Sequence, residues 1–132
     1  VKKDIDAAQN FSNLQQYADW LIHEINELEN ITAHLLSVAA KGNTAIFLSD
    51  ANLFMELFGL INIAWQWLKQ SVTAQKELNK NNSTSLDKVF YQSKIETMQF
   101  FFHYELVKTK CLGARKKKKK IITPWKENEV LI

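Results

Sequence analysis

Apolar residues recur through the first third of this chain in alternating steps of four and three. Leu14, Ala18, Leu21, Ile25, Leu28, Thr32, Leu35 and Ala39 fall on one stripe of a helix over Phe11 to Ala40. Tyr17, Ile22 and Leu36 widen that stripe beyond a coiled-coil seam. Ser12 or Asn13 can cap its start, because a short side-chain oxygen accepts from an orphan amide. Gly42 closes its end, since glycine takes the left-handed conformation without penalty.

The turn Lys41-Gly42-Asn43 is short, so the next helix returns antiparallel. That second helix runs from about Thr44 to Leu78. Ser49-Asp50 can act as an internal cap and break it. From Leu53 onward it is apolar on two faces. Phe54, Phe58, Ile61, Trp65, Leu68 and Val72 form one stripe; Leu53, Leu57, Leu60, Ala64 and Trp67 form another. A helix apolar on most sides is covered on most sides. This is the expected central helix, with a surplus face for something outside the chain.

Asn79 to Ser85 is a polar loop, and Ser85 suits an N-cap. The last helix spans about Leu86 to Leu112, with Gly113 as its stop. Val89, Phe90, Ile95, Met98, Phe101, Phe102, Leu106 and Cys111 supply its apolar positions. Phe100, Phe101 and Phe102 cover about 200° of helix circumference, so one of them must leave the main core. Trp65 and Trp67 point about 160° apart, so both cannot enter one core. These five rings are the candidate interface. Residues 1–115 read as a helical bundle domain, and 116–132 as a basic linker and tail.

Composition supports long helices. With 132 residues the chain is one domain by size, and with only 3 Gly and 1 Pro it has few breakers. The fold expected is all-α: an antiparallel up-down bundle of three long helices, or four if the second breaks near Ser49-Asp50. The closest approach to a membrane span, Leu57 to Leu68, is about a dozen residues and reads as a core helix. The start at Val1-Lys2-Lys3 has no initiator Met and suits a piece of a longer chain. The single cysteine, Cys111, excludes an internal disulfide framework and suits a reducing, cytoplasmic setting.

Net charge is +3, but Arg115 and Lys116 to Lys120 hold the whole excess. The body is therefore mildly acidic, and the basic character has one address. No aromatic residues interleave these lysines, which weakens a nucleic-acid reading. An exposed linker is the favoured reading over contact with an anionic surface, so neither nucleic acid nor membrane is expected as a partner.

Little else suggests chemistry. His23 and His34 lie three helical turns apart, roughly 16 Å, and cannot share a metal. No histidine has an acid three residues before it, as a di-iron bundle requires. Glu24, Glu27 and Glu29 read as the solvated face of the first helix. Cys111 lacks a nearby His and sits near a helix C-terminus, which does not activate a thiol. No Gly-rich phosphate loop or nucleophile elbow is present. Catalytic, cofactor-binding and metal residues are all expected to be absent.

Several features occur together in a recognisable order: Ala40-Lys41-Gly42, Asp50-Ala51-Asn52-Leu53-Phe54, Leu57-Phe58-Gly59, Trp67, Lys94, and Phe100 to Leu106. In this the chain, over roughly Phe11 to Arg115, resembles the extra C-terminal helical domain of long acyl-CoA dehydrogenases. The resemblance implies a parent enzyme that holds FAD and oxidises an acyl-CoA between its α and β carbons. The catalytic base and flavin contacts would lie in preceding domains. The module itself would be non-catalytic, packing on the catalytic domains of its own chain or on a partner subunit in a homo-oligomer. The lysine run departs from the family pattern. Two other readings stay open: a stand-alone helical dimerisation module, and a basic-tailed binder of nucleic acid or membrane surfaces.

Overall fold

The computed structural model describes residues 1–42, 44–82 and 84–110, and for residue 46 the backbone alone. Four α-helices follow one another: α1 (Lys2–Gln9), α2 (Gln15–Ala40), α3 (Thr44–Asn79) and α4 (Ser85–Phe101). A turn of π-helix, Phe102–Leu106, continues α4. The fold is all-α. Both α2 and α4 pack on α3, α1 packs on α2 and α3, and the π turn also touches α3. The central role of α3 thus follows from its two-sided apolar pattern.

The fourth helix does not come from a break at Ser49-Asp50. Over its 36 residues α3 is unbroken, and Asp50 is buried against the bundle. No proline interrupts it. The extra element is α1, which sequence pattern alone did not separate from a tail. Eight residues make a marginal helix in water. This one holds because Ile5 and Ala8 enter the core.

Two caps differ from expectation. Neither Ser12 nor Asn13 caps α2: its N-cap is Leu14, in helical conformation and without a side-chain bond. The chain enters α2 through a helical turn, where Phe11 O accepts from the amides of Leu14 and Gln15. The amides there already have backbone acceptors, and the Asn13 amide group instead donates to Gln75 Oε1 at 2.9 Å. At the start of α4 the cap is Thr84, not Ser85. The Thr84 hydroxyl accepts from the Asp87 amide, and the Asp87 carboxylate accepts from the Thr84 amide. Asp87, three residues after Thr84, closes a reciprocal capping box. Gly42 ends α2 as expected, at φ +77°, with its amide donating to Ala39 O at 3.0 Å.

Leu14 and Leu21 of α2, Leu68 of α3, Ile95 and Met98 of α4, and Phe102 and Leu106 of the π turn are fully buried. On α3 the core line is Leu57, Ile61, Ala64 and Leu68, which runs between the two stripes read from the sequence. Their outer members, Phe58 among them, reach solvent. By length and composition alone α3 could cross a membrane from Phe47 to Asn79, and 22% of its most apolar window is buried inside the bundle. A bundle's core helix passes the same test. Outside the core line, Leu48, Met55, Phe58 and Ile63 leave apolar surface exposed on α3.

Cys111, Gly113, the lysine run and the tail, and with them the boundary at 115–116, lie outside the described residues.

Candidate interaction surface

The two α3 tryptophans sit at opposite rims of the core, both half-buried. Trp65 faces α1, where its indole Nε1 donates to Asp4 Oδ2 at 2.8 Å. Trp67 faces α4, and the Lys94 ammonium lies 5.9 Å from its ring centroid. Lys94 is also 5.2 Å from the Phe90 ring, so two aromatic faces hold one cation in place. Each indole therefore has a partner within the chain, and each keeps an outer edge in solvent.

The three phenylalanines separate by depth. Phe102 is 0% exposed, Phe101 is half-buried, and Phe100 is 59% exposed. The π turn shapes this separation. Met98, Phe102 and Leu106 follow at two successive steps of four, which in an α-helix drift off the buried face. The wider π turn keeps Phe102 and Leu106 both inside. Phe102 meets Tyr17 and Trp20 of α2 edge-on, at 5.3 and 5.6 Å between centroids. Next to it, His103 Nε2 lies 3.2 Å from the Tyr17 hydroxyl. Of the three rings only Phe100 is offered outward, where it stacks on Tyr104 at 4.6 Å.

Val89 and Phe90, read as core positions from the sequence, face solvent. They share the outer side of α4 with Leu86, Phe100 and Tyr104. The inner side is formed by Tyr91, Ile95 and Met98. Two apolar faces on one helix cannot be ranked from sequence when either could turn inward. The signal lay in Ser93 and Thr97, which share the face of Leu86 and Phe100 and mark it as the outer one.

Between α3 and α4 lies an open groove of about 340 Å³, lined by Gln66, Lys69, Gln70, Thr73, Ala74, Phe90, Tyr91 and Lys94. Its lining is two amides, the hydroxyls of Thr73 and Tyr91, two ammonium groups, the Ala74 methyl and two rings, with no carboxylate or thiol. Its two ammonium groups suit a polar or anionic group.

Glu24 is buried rather than solvated, and its carboxylate accepts from Trp20 Nε1 at 3.2 Å. It follows Tyr17 and Leu21 at steps of four and three, so the spacing already placed it on the core stripe. His23 is exposed and His34 half-buried, both on α2. Among the described residues no group of three or more His, Cys, Asp or Glu could hold a metal ion. The Lys80 ammonium is held above its usual range by a hydrogen bond from it to Glu77 and by that carboxylate's charge, in an i,i+3 pair at 2.7 Å on the surface.

Fold and surface together define a helical packing module, built around one central helix and rich in outward aromatic groups. Over residues 1–120 the chain matches the family described as acetyl-CoA dehydrogenase C-terminal like. No curated protein matches it, and neither does any solved structure. The chain belongs to that family and is a C-terminal helical domain of the acyl-CoA dehydrogenase kind.

Proposed function

We propose that this domain is a non-catalytic lobe of an FAD-dependent acyl-CoA dehydrogenase. It packs on the catalytic domains of its own chain or on the partner subunit, and the enzyme is a homo-oligomer working in the cytoplasm. The observation that carries this reading is the outward apolar surface of a module with this family match: Leu48, Met55, Phe58 and Ile63 on α3 are exposed although α3 is the central helix. Exposed large apolar side chains along one helix are what a contact with another protein surface would cover.

Among the described residues, the groove does not fit a flavin. The groove between α3 and α4 is open, lies at the small end of ligand sites, and has no glycine turn to approach a pyrophosphate. FAD, which would accept the hydride, is therefore assigned to the preceding domains. The contribution of this chain is area and shape.

The test begins with the coding sequence upstream of Val1, which should encode flavin-binding catalytic domains. In that parent enzyme, Phe58→Glu should weaken the attachment of the lobe, detected as faster proteolytic release, while flavin content stays unchanged. A parent without flavin domains, or a lobe released at the same rate, overturns the proposal.

A further inference from the structure

Five residues of α4 and Tyr104 of the π turn that continues it line one outer side at steps of four, three, four, three and four: Leu86, Phe90, Ser93, Thr97, Phe100 and Tyr104. All six are exposed and none is charged; Leu86 is 82%, Phe90 55% and Tyr104 64% exposed. The five steps span 18 residues, 3.6 per step, the period of the α-helix itself, so these positions fall on one straight line that can be turned toward a partner helix. The two hydroxyl residues at the centre are already satisfied. Ser93 Oγ donates to Phe90 O at 2.6 Å, and Thr97 Oγ1 donates to Ser93 O at 2.7 Å. Their outward atoms are therefore methylene and methyl groups, which can be covered without leaving a donor unpaired.

The seam is also symmetric about its middle. Leu86 and Tyr104 stand equally far from residue 95 along the chain, as do Phe90 and Phe100, and Ser93 and Thr97. Large groups occupy both ends and small groups the waist. An antiparallel copy of the same face then sets Leu86 against Tyr104, Phe90 against Phe100, and Ser93 against Thr97. An isologous two-fold contact requires this self-complementarity, and a seam built for an unrelated surface does not. Lys94 does not enter the seam, because its ammonium is held over the rings of Trp67 and Phe90.

We infer that the outer face of α4 is a self-pairing surface, on which a second copy of this chain lies antiparallel over about 27 Å at 1.5 Å per residue. The inference rests on the partner-subunit side of the function proposed above, and it names the face and the register. The dry waist lets the two helices approach closely. The ring pairs at either end fix the register, since a shift of one turn sets a ring against the small residues of the waist.

The register is read by mixed disulfides in a Cys111→Ser background. Chains carrying Ser93→Cys and chains carrying Thr97→Cys are mixed and mildly oxidised. The mixed disulfide should exceed either like-with-like product several-fold, because only unlike positions bring their Cα atoms within bridging distance. Equal products, or like-with-like in excess, overturn the inference. In parallel, sedimentation of the native chain should show a species of twice 15.3 kDa that Phe100→Glu abolishes without changing the helical circular dichroism; a monomer at every concentration overturns it.

The occupant is read by replacing Phe100 with p-benzoylphenylalanine in the parent enzyme and mapping the photoproduct. A product with the Phe90 region of a second copy supports self-pairing. A product with residues 111–132 of the same chain, or with the catalytic domains, overturns it. Self-pairing that fails while the lobe stays attached to its flavin domains refutes this inference alone. Self-pairing that persists in a parent without such domains refutes the proposed function alone.

Discussion

Trp65 and Asp4, far apart in sequence, are joined by an indole–carboxylate hydrogen bond of 2.8 Å that ties α1 to the central helix. The bond is partly buried and involves a charged acceptor, the class with the larger net contribution. Trp65→Phe keeps most of the ring and removes only the donor. It should lower stability by about 1–2 kcal/mol. Asp4→Ala should cost a similar amount and, by freeing α1, shift Trp65 emission to the red. Thermal unfolding and tryptophan fluorescence check both. An unchanged midpoint in both variants would mean that Ile5 and Ala8 hold α1 unaided.

The depth order of the three phenylalanines gives a second prediction. Phe102→Ala removes a fully buried ring between α2 and α3 and should cost about 3–5 kcal/mol. Phe100→Ala, at a dilution where the chain is monomeric, should change stability by no more than about 0.5 kcal/mol. Chemical denaturation of the two variants gives the contrast. A comparable loss in both would mean that the outer side of α4 is covered within the monomer.

The all-α class and the central place of α3 could be read from the sequence because the signal was redundant. Long stretches with few breakers show three-four periodicity, and α3 is the longest of them and apolar on two sides. Three features were hidden for different reasons. The α1 helix has too few apolar positions to show a period, and tertiary contacts with Leu14 and Trp65 decide it. The unbroken path through Ser49-Asp50 goes with the burial of Asp50, which sets aside a local capping signal. The π turn at Phe102–Leu106 leaves no mark other than two successive steps of four between buried residues. For the surface, the sequence showed that the five rings could not all be internal. It could not show that Phe102 is the fully buried one, or that Leu86, Phe90 and Tyr104 join Phe100 outside.

The capping box at the start of α4 can be tested against its neighbour. Thr84→Ala removes the oxygen that accepts from the Asp87 amide, and it should cost about 1 kcal/mol. Asp87→Ala should cost somewhat less, because the reverse bond is longer, at 3.4 Å. Ser85→Ala should be nearly neutral, since Ser85 is the first helical residue and makes no capping bond. Helical circular dichroism through a thermal ramp separates the three. A Ser85→Ala loss equal to that of Thr84→Ala would move the cap back by one residue.

Two glycines should respond to alanine with opposite signs. Gly42 has φ +77°, and an added Cβ there strains the backbone although nothing stands within 4 Å of it. Gly42→Ala should destabilise by about 1–2 kcal/mol, the cost of a left-handed residue that is not glycine. Gly59 lies inside α3, also with nothing within 4 Å of an added Cβ. Its Cβ would meet no atom, and alanine orders the unfolded chain less expensively than glycine does in a helix. Gly59→Ala should therefore stabilise the isolated domain by roughly 0.5–1 kcal/mol. The same position adjoins exposed Phe58, on the face proposed to meet the catalytic body. If a partner backbone approaches there, Gly59→Ala will raise the unfolding midpoint of the isolated domain while weakening its attachment in the parent enzyme. A gain in both would show that the contact surface lies elsewhere on α3.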